Sequence, residues 1–572
     1  MSSETEQVKW WKELVVYQVY PRSYKDSNGD GVGDIGGLIQ SLDYIQSLGV
    51  DAIWLSPVYP SPNEDNGYDI SDYCDIQPEF GTMQQWETFL AESHRRGLKV
   101  VMDIVVNHTS DQHNWFKEAR KSKDNPYHDY YIWRTAEEGK LPNNWQSFFS
   151  GTVWQYNEAT SEYYLHLFAK GQPDLNWENP KVREEVKKVI EFWAKKGVDG
   201  FRLDVINVIS KTPGLPDASI KNPSDMFHWA GEHFFNGPKF IEWMTDVRKN
   251  VFDRYKVFTV GETPGVTPAH GKQYTHSVDG VVNMIFQFEL VGIDQKPDGS
   301  KFDHVPAKLE DVKRVTNKWQ LEIGRDGWNS NYLENHDQPR SVSRYGRDVG
   351  EERILSAKML AAWYLFLKGT PYIYQGQEIG MTNVVFPSIK DYNDVETLNY
   401  YKEAREMGRE EGDLMYGIRN KSRDNARTPM QWNASNHAGF TSGESSWLSV
   451  NPNYTEINVA SAESDSNSIL HFYRKILTLR KENKVAIYGD YNIIAEEHPQ
   501  VFAYTRTSEE KQLLVCANFS DREAAVEFGE GQNLYGGAEK VLLDNYSHAS
   551  PSQIRKGLKM KPYQVVVAIY DK

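Results

Sequence analysis

The chain has 572 residues, more than one compact core organises, so two or more domains are expected. Its formal charge of −16 speaks against nucleic acid and against an anionic membrane surface, since both select basic patches; a neutral partner fits better. Charged residues make up 25% and hydrophobic residues 39%, as in an ordinary globular protein, and the 17 Trp and 33 Tyr supply flat rings that suit sugar faces as well as cores.

The segment Met1 to Glu6 is polar and acidic, without the charged-then-apolar pattern of a secretory signal. Leu14 to Tyr20 is the first candidate strand. A helix ending in a glycine stop then precedes a strand twice: Leu42 to Gly49 before Val50 to Pro57, and Thr82 to Gly97 before Leu98 to His108. Residues 109–171 lack that repeat, are rich in Trp, Asn, Ser and Gly, and read as a small inserted domain overhanging the third strand. Asn179 and Pro180 look like N-cap and N1 of the next helix, with Val182, Val186, Val189, Ile190 and Trp193 on one face and Gly197 as the stop before the strand to Asp204. Four more strands are expected at Val257 to Glu262, Val281 to Phe288, Ser330 to Asn335 and Pro371 to Gln375.

Eight strands alternating with helices predict an α/β chain folded as a (β/α)8 TIM barrel, whose functional face is at the carboxyl ends of its strands. The apolar run Met359 to Leu367 is far short of the roughly 20 residues of a membrane span and reads as a buried helix. From Tyr488 onward short alternating strands, among them Val501 to Thr505, Leu513 to Phe519 and Val565 to Tyr570, predict a C-terminal antiparallel β-sandwich domain. The expected partition is residues 1–108 and 172–487 for the barrel, 109–171 for the insertion and 488–572 for the C-terminal domain. Cys74 and Cys516 are the only cysteines and lie far apart, so two reduced thiols in a cytoplasmic protein are expected.

Three of these strands end in acids: Asp204, Glu262, and Asp337 in Glu334-Asn335-His336-Asp337. Arg202 and Asp204, two residues apart, share one face of a strand, so the guanidinium would hold the carboxylate ionised and aimed, as a nucleophile requires. A structural ion pair is the plainer reading of that pair alone. Asp26-Ser27-Asn28-Gly29-Asp30-Gly31-Val32-Gly33-Asp34 sets oxygen ligands at alternate positions around a glycine turn, a spacing that wraps a hard cation. It lacks the distal glutamate of an EF-hand, and a loop of Asx turns without an ion has the same sequence.

Five motifs in order resemble glycoside hydrolase family 13, the α-amylase family, and within it the oligo-1,6-glucosidase and α-glucosidase branch. They are Asp103-Ile104-Val105-Val106-Asn107-His108, Gln172-Pro173-Asp174-Leu175-Asn176, Gly200 to Asp204, Glu262, and Asn335-His336-Asp337, and the likeness spans nearly the whole chain. It implies a retaining glycosidase with Asp204 as nucleophile, Glu262 as acid/base and Asp337 as the acid that grips the sugar hydroxyls and favours the oxocarbenium-like transition state. It also assigns His108, His336, Phe149, Phe168 and Gln172 to sugar binding. Asp65 and Tyr68, in Asp65-Asn66-Gly67-Tyr68-Asp69, match residues that close the non-reducing end of the glucose pocket. Arg427, matching a family arginine, is expected to lock with Asp65 across the pocket floor, leaving room for one glucose and giving exo action.

Val205 accompanies α-1,6 preference in this branch where threonine accompanies α-1,4. Glu396 matches a position near the acceptor sugar and reads equally well as an exposed helix charge. The branch commonly holds calcium or magnesium at Asp26, Asn28, Asp30, Val32 (through its carbonyl) and Asp34, so a structural ion and no organic cofactor are expected. Gln377 departs from the second glutamate common in bacterial members.

The resemblance therefore implies an exo-acting hydrolase of isomaltose and short isomalto-oligosaccharides, acting on a small sugar without nucleic acid or membrane, as a monomer or weak homo-oligomer. Alternatives are a general α-1,4-glucosidase and a sucrose-isomerising glucosyltransferase. The isomerases carry threonine after the nucleophile and an arginine-rich loop where this chain has Ser343-Arg344-Tyr345-Gly346-Arg347-Asp348. A silent relative, such as a transporter heavy chain, would need a membrane span and missing acids.

Overall fold

The computed structural model describes residues 9–297, 299–324, 326–528, 534–535, 539–547, 549, 554 and 557–572. Eight parallel strands form one sheet: β1 (Val16–Val19), β2 (Ala52–Leu55), β3 (Lys99–Ile104), β4 (Gly200–Leu203), β5 (Phe258–Glu262), β6 (Met284–Phe286), β7 (Ser330–Asn331) and β8 (Thr370–Tyr374). Their order is β7-β8-β1-β2-β3-β4-β5-β6, and a parallel bridge from Ile285 to Asn329 joins β6 to the entry of β7, closing the ring. All eight expected strands are present; seven are shorter than their apolar runs because the flanking residues turn into loops, and the eighth keeps its length shifted by one residue.

Strand pleating decides what each residue faces. Val16, Ala52, Trp54, Val101, Phe258, Val260, Met284 and Phe286 pack together inside the ring. Their neighbours Val15, Tyr17, Ile53, Leu55, Val100 and Met102 pack outward under the helices. Carrying the inward set one pleat further puts Gln18, Asp103, Arg202 and Glu262 at the mouth, and the β3–β4 register pairs Asp103 with Arg202.

The helices follow their local signals. α1 (Met83–Arg95) opens with a capping box of Thr82 and Gln85, and α2 (Pro180–Lys196) is capped by Asn179 and stopped by Gly197 at φ 101°, a left-handed conformation that costs glycine little. α3 (Gly350–Leu365) is buried from Ser356 to its end, the part that carries the start of the apolar run. No helix among the described residues is long and apolar enough to cross a membrane.

Between β3 and α2 the chain builds a three-stranded antiparallel sheet from Trp133–Arg134, Glu162–Leu165 and Trp154–Asn157. It rejoins the barrel where His108 bridges Asp174, beside a buried pair in which the Lys211 ammonium lies 2.7 Å from Asp174 and 2.9 Å from the Asn107 amide oxygen. A second excursion follows β8 and has no sequence signal that sets it off from the barrel. It contains α4 (Val395–Glu406) and the short α5 (Asp424–Arg427) before the last barrel helix, Ile469–Glu482.

The C-terminal sheet, β9 (Asp490–Ile494), β10 (Val501–Thr507), β11 (Lys511–Asn518), β12 (Glu539–Asp544) and β13 (Val565–Asp571), is antiparallel in the order β9-β10-β11-β13-β12. Its inner face packs on a two-stranded sheet, Ala524–Val526 with Leu558–Met560.

Candidate active site

At the barrel mouth one guanidinium holds three acids. Arg202 Nη1 donates to Asp103 Oδ1 at 2.8 Å and to Asp204 Oδ1 at 2.5 Å, while Nη2 meets Glu262 Oε2 at 2.6 Å. Sequence spacing anticipated the Asp204 contact; the sharing with Glu262 and Asp103 comes from the closed ring. Sharing matters electrostatically, because one cation cannot offset three buried anions. Burial, opposed by Arg202 and reinforced by Asp103, raises the Asp204 carboxyl to about 7. Burial likewise raises Glu262 to about 7 against Arg202, with the charges of Asp204 and Asp337 adding to it, and Asp103 rises to about 6. The guanidinium expected to hold Asp204 ionised and aimed does meet it, but is shared with Glu262 and Asp103, so the three acids titrate as a coupled group.

Val205 follows Asp204 with φ 35° and ψ 39°, a left-handed conformation that costs a β-branched residue roughly 1–3 kcal/mol. That conformation aims its backbone N–H at Glu262 Oε2, 3.0 Å away. The strand ends carrying Asp204 and Glu262 are therefore joined through the backbone as well as through Arg202.

Asp337 is paired from the other side of the mouth. Arg427 Nη2 donates to its Oδ1 at 2.7 Å, and His336 Nε2 lies 3.1 Å from its Oδ2. The Gln18 amide, 2.7 Å from His336 Nδ1, leaves the ring proton on Nε2, towards Asp337. Burial works to raise the Asp337 carboxyl, but His336, Arg423 and Arg427 together hold it well below the ordinary range. His336 stacks on Tyr68 at 5.1 Å between centroids, and the Tyr68 hydroxyl donates to Asp103 Oδ2 at 3.0 Å.

The floor departs from the sequence expectation. Asp65 pairs with Arg423, Nη2 to Oδ1 at 2.9 Å, and not with Arg427, which is occupied by Asp337 and the His336 carbonyl. Arg423 and Arg427 lie one helical turn apart at the start and end of α5, so both point into the site, but only the first reaches Asp65. Arg423 is held in turn by Asp394 at 2.6 Å and lies 4.9 Å over the Phe149 ring. Gln172 Nε2 donates to Asp65 Oδ2 at 3.0 Å and to the Tyr68 carbonyl at 3.1 Å. His108 Nε2 meets the same carbonyl at 3.0 Å, and its ring lies 5.2 Å from Phe168. Glu396 is not an exposed helix charge: it bonds Lys301 at 2.6 Å and approaches Arg423 at 3.5 Å. Every acid and ring named from sequence for the sugar site thus lies around one mouth. Arg423, Asp394 and Gln18 join them unforeseen. Asp103 joins them too; it opens one of the five motifs in the sequence but is given no part in the site there.

The loop from Asp26 to Asp34 lies apart. Asp26 accepts from the amides of Asn28, Gly29 and Gly31, Asn28 from that of Asp30, and Asp30 from that of Val32. Asp34 caps a helix by accepting from Gly37 N–H at 2.7 Å. Hard oxygen donors of this kind suit calcium or magnesium. In this structure, however, their carboxylates are turned onto backbone amides, and no group of three or more acidic, histidine or cysteine side chains is gathered for a metal among the described residues. A groove of about 560 Å³ borders this loop, between Asn28, Asp34, Asp75, Glu79 and Phe80, and contains none of the strand-end acids.

Comparison with known proteins agrees with this arrangement. A profile described as alpha amylase, catalytic domain, matches residues 18–489, and one described as the alpha-amylase SusG C-terminal domain matches residues 501–567. The chain is 54% identical to an oligo-1,6-glucosidase of Parageobacillus thermoglucosidasius, over 98% of both chains. It is 53% identical to an oligo-1,6-glucosidase of Bacillus cereus, over 98% of this chain and 99% of the relative. Among solved structures, a Bacillus licheniformis trehalose-6-phosphate hydrolase superposes with a TM-score of 0.93 at 44% identity, covering 98% of this chain and all of that one. With the acids clustered at the carboxyl ends of a closed eight-stranded barrel and these likenesses running end to end, the chain belongs to glycoside hydrolase family 13, the α-amylase family.

Proposed function

We propose that this glycoside hydrolase is a retaining, exo-acting oligo-1,6-glucosidase that releases terminal α-1,6-linked glucose from isomaltose and short isomalto-oligosaccharides. The observation that carries this reading is the identity of 53–54% over essentially the whole length with oligo-1,6-glucosidases, against 45% for a trehalose-6-phosphate hydrolase of Bacillus subtilis.

In the proposed reaction Glu262, protonated, gives its proton to the glycosidic oxygen as Asp204 Oδ attacks the anomeric carbon. The C–O bond to the leaving sugar breaks and a glucosyl ester to Asp204 forms. Glu262, now ionised, takes a proton from water, whose oxygen displaces Asp204 and returns the α-configuration. Two carboxylates on adjacent nitrogens of one guanidinium support a retaining geometry, since an inverting pair stands about 6.5–9.5 Å apart to admit water. Asp337, held ionised, faces the developing positive charge. The Asp65–Arg423 pair, with Gln172, closes the far end and supports exo action. Val205 supports the α-1,6 choice.

The same reading includes reduced cysteines in a cytoplasmic protein, supported by the unpaired Cys74 and Cys516, a monomer or weak homo-oligomer, and a structural calcium or magnesium ion at Asp26 to Asp34, supported by the donor set. The sucrose-isomerising alternative is disfavoured because Arg344 is buried against Asp294, the Val291 carbonyl and Gln338 rather than free to meet a second sugar.

Incubation with isomaltose, panose, maltose, sucrose and trehalose 6-phosphate, with products resolved by chromatography, tests the proposal. Glucose released fastest from isomaltose is the expected result. Isomerised sucrose, or cleavage confined to trehalose 6-phosphate, overturns it.

A further inference from the structure

A line of aromatic rings leads from the pocket to the surface by way of Phe168, whose ring also lies 5.6 Å from Phe149, the ring beneath Arg423. From His108 it passes to Phe168 at 5.2 Å, then to Phe148, stacked on Phe168 at 4.6 Å, and then to Trp229, edge-on to Phe148 at 4.7 Å. Phe235 completes the outer end, 5.9 Å from Trp229 and 6.2 Å from Phe148. Trp229, 37% exposed and edge-on to Phe234 at 5.3 Å as well, brings the line to the surface.

The line lies on the leaving-group side. Val205 packs in the same cluster as Phe148, Phe168 and Phe235, and the Phe235 ring sits so close to Gly265, three residues past Glu262, that a Cβ there would stand 2.5 Å from it. Gly265 has φ +70° as well, so the turn after the acid/base accepts glycine for both reasons. Asn207 Nδ2 donates to the Pro264 carbonyl at 2.7 Å, binding the same turn to the loop after β4. The sugar that departs must lie beside the group that protonates it, hence along these rings.

The backbone before Trp229 is pinned, because His228 N–H donates to the Asn144 carbonyl at 2.8 Å and its own carbonyl accepts from Gln146 at 2.9 Å. A ring held this way is pre-organised and loses little entropy on binding.

We infer that Trp229 is a stacking platform for the pyranose ring beyond the first sugar on the leaving-group side, so that it selects for substrates longer than a disaccharide. Pyranose C–H faces meet indole π faces without hydrogen-bond readout, so this subsite tolerates α-1,6 and α-1,4 extensions alike. The inference rests on the proposed glucosidase reaction.

Its test is the ratio of kcat/KM for isomaltotriose to that for isomaltose, in wild type, Trp229→Ala and Trp229→Phe, with melting curves for all three. The ratio is expected to fall about three- to tenfold in Trp229→Ala, the range that aromatic stacking supports, through KM rather than kcat, and to recover largely in Trp229→Phe. An unaltered ratio in folded Trp229→Ala overturns the subsite, as does an equal loss on both substrates, which would mark a purely structural ring. Wild-type inactivity on isomaltose overturns the reaction itself and is thereby told apart from failure of the subsite.

Discussion

Replacing Asp103 by Asn probes the shared guanidinium directly. Asp103 and Asp204 accept from the same Arg202 nitrogen at 2.8 and 2.5 Å, so their charges stand roughly 5 Å apart. At an effective dielectric of about 20 two unit charges at that distance repel by about 3 kcal/mol, or about two pK units. Arg202 lies between them and screens part of this, so a shift of about one unit is the working figure. The sign follows from the role. Asp204 must be ionised to attack, its carboxyl sits at about 7 partly because of the Asp103 charge, and removing that charge lets it ionise at lower pH. The acid limb of kcat/KM therefore moves down by about one unit in Asp103→Asn. The basic limb, where Glu262 loses its proton near 7, moves less, because the Asp204 and Asp337 charges that raise Glu262 remain. The plateau falls up to about 100-fold as Arg202 loses one anchor. Profiles of kcat/KM on a chromogenic α-glucoside from about pH 4 to 9 read both limbs. An acid limb that stays in place in a folded, active Asp103→Asn protein refutes the shared-charge account.

Asp204→Asn and Glu262→Gln should each lower kcat by at least 10²–10⁴-fold without loss of fold, and NMR of early wild-type product should show α-glucose; β-glucose first would exclude retention. Val205→Thr keeps the side-chain shape, and with it the same backbone strain, while adding a hydroxyl, so it should raise maltose relative to isomaltose cleavage by about tenfold, within the roughly 1–3 kcal/mol of a buried polar group. No shift there would remove this position from linkage choice. Arg423→Gln leaves Asp65 and Asp394 without their cation and should cost about 3–5 kcal/mol of stability, visible in chemical denaturation, together with a large rise in KM. A mild effect at Arg423 beside a severe one in Arg427→Gln would return the floor to Arg427. With the proposed ion at about 100 times its Kd, chelation removes about 2.7 kcal/mol and lowers Tm while activity at modest temperature persists; an unmoved melting curve, with no metal found by elemental analysis, leaves the Asp26–Asp34 loop a self-closed turn.

Much of the architecture could be read from local pattern. Helix faces, glycine stops and apolar runs are set within a dozen residues, so the eight strands, a break in their repeat after the third and the β-rich C-terminus are legible in the amino-acid sequence itself. Acids at the ends of those strands follow from the same reading, because in a parallel barrel strand ends share one face. What the tertiary structure alone decided is which partner each charge takes. Arg202 and Asp204 are two residues apart, but Glu262 reaches the same guanidinium only because β4 and β5 lie side by side in a closed ring. Arg423 and Arg427 present the same side chain one turn apart, and no spacing rule says that the first meets Asp65, 358 residues away, while the second meets Asp337. The pKa values follow the same division: residue type and a strand end could be read in the chain, whereas burial and the sharing of one cation by three anions exist only after the ring has closed.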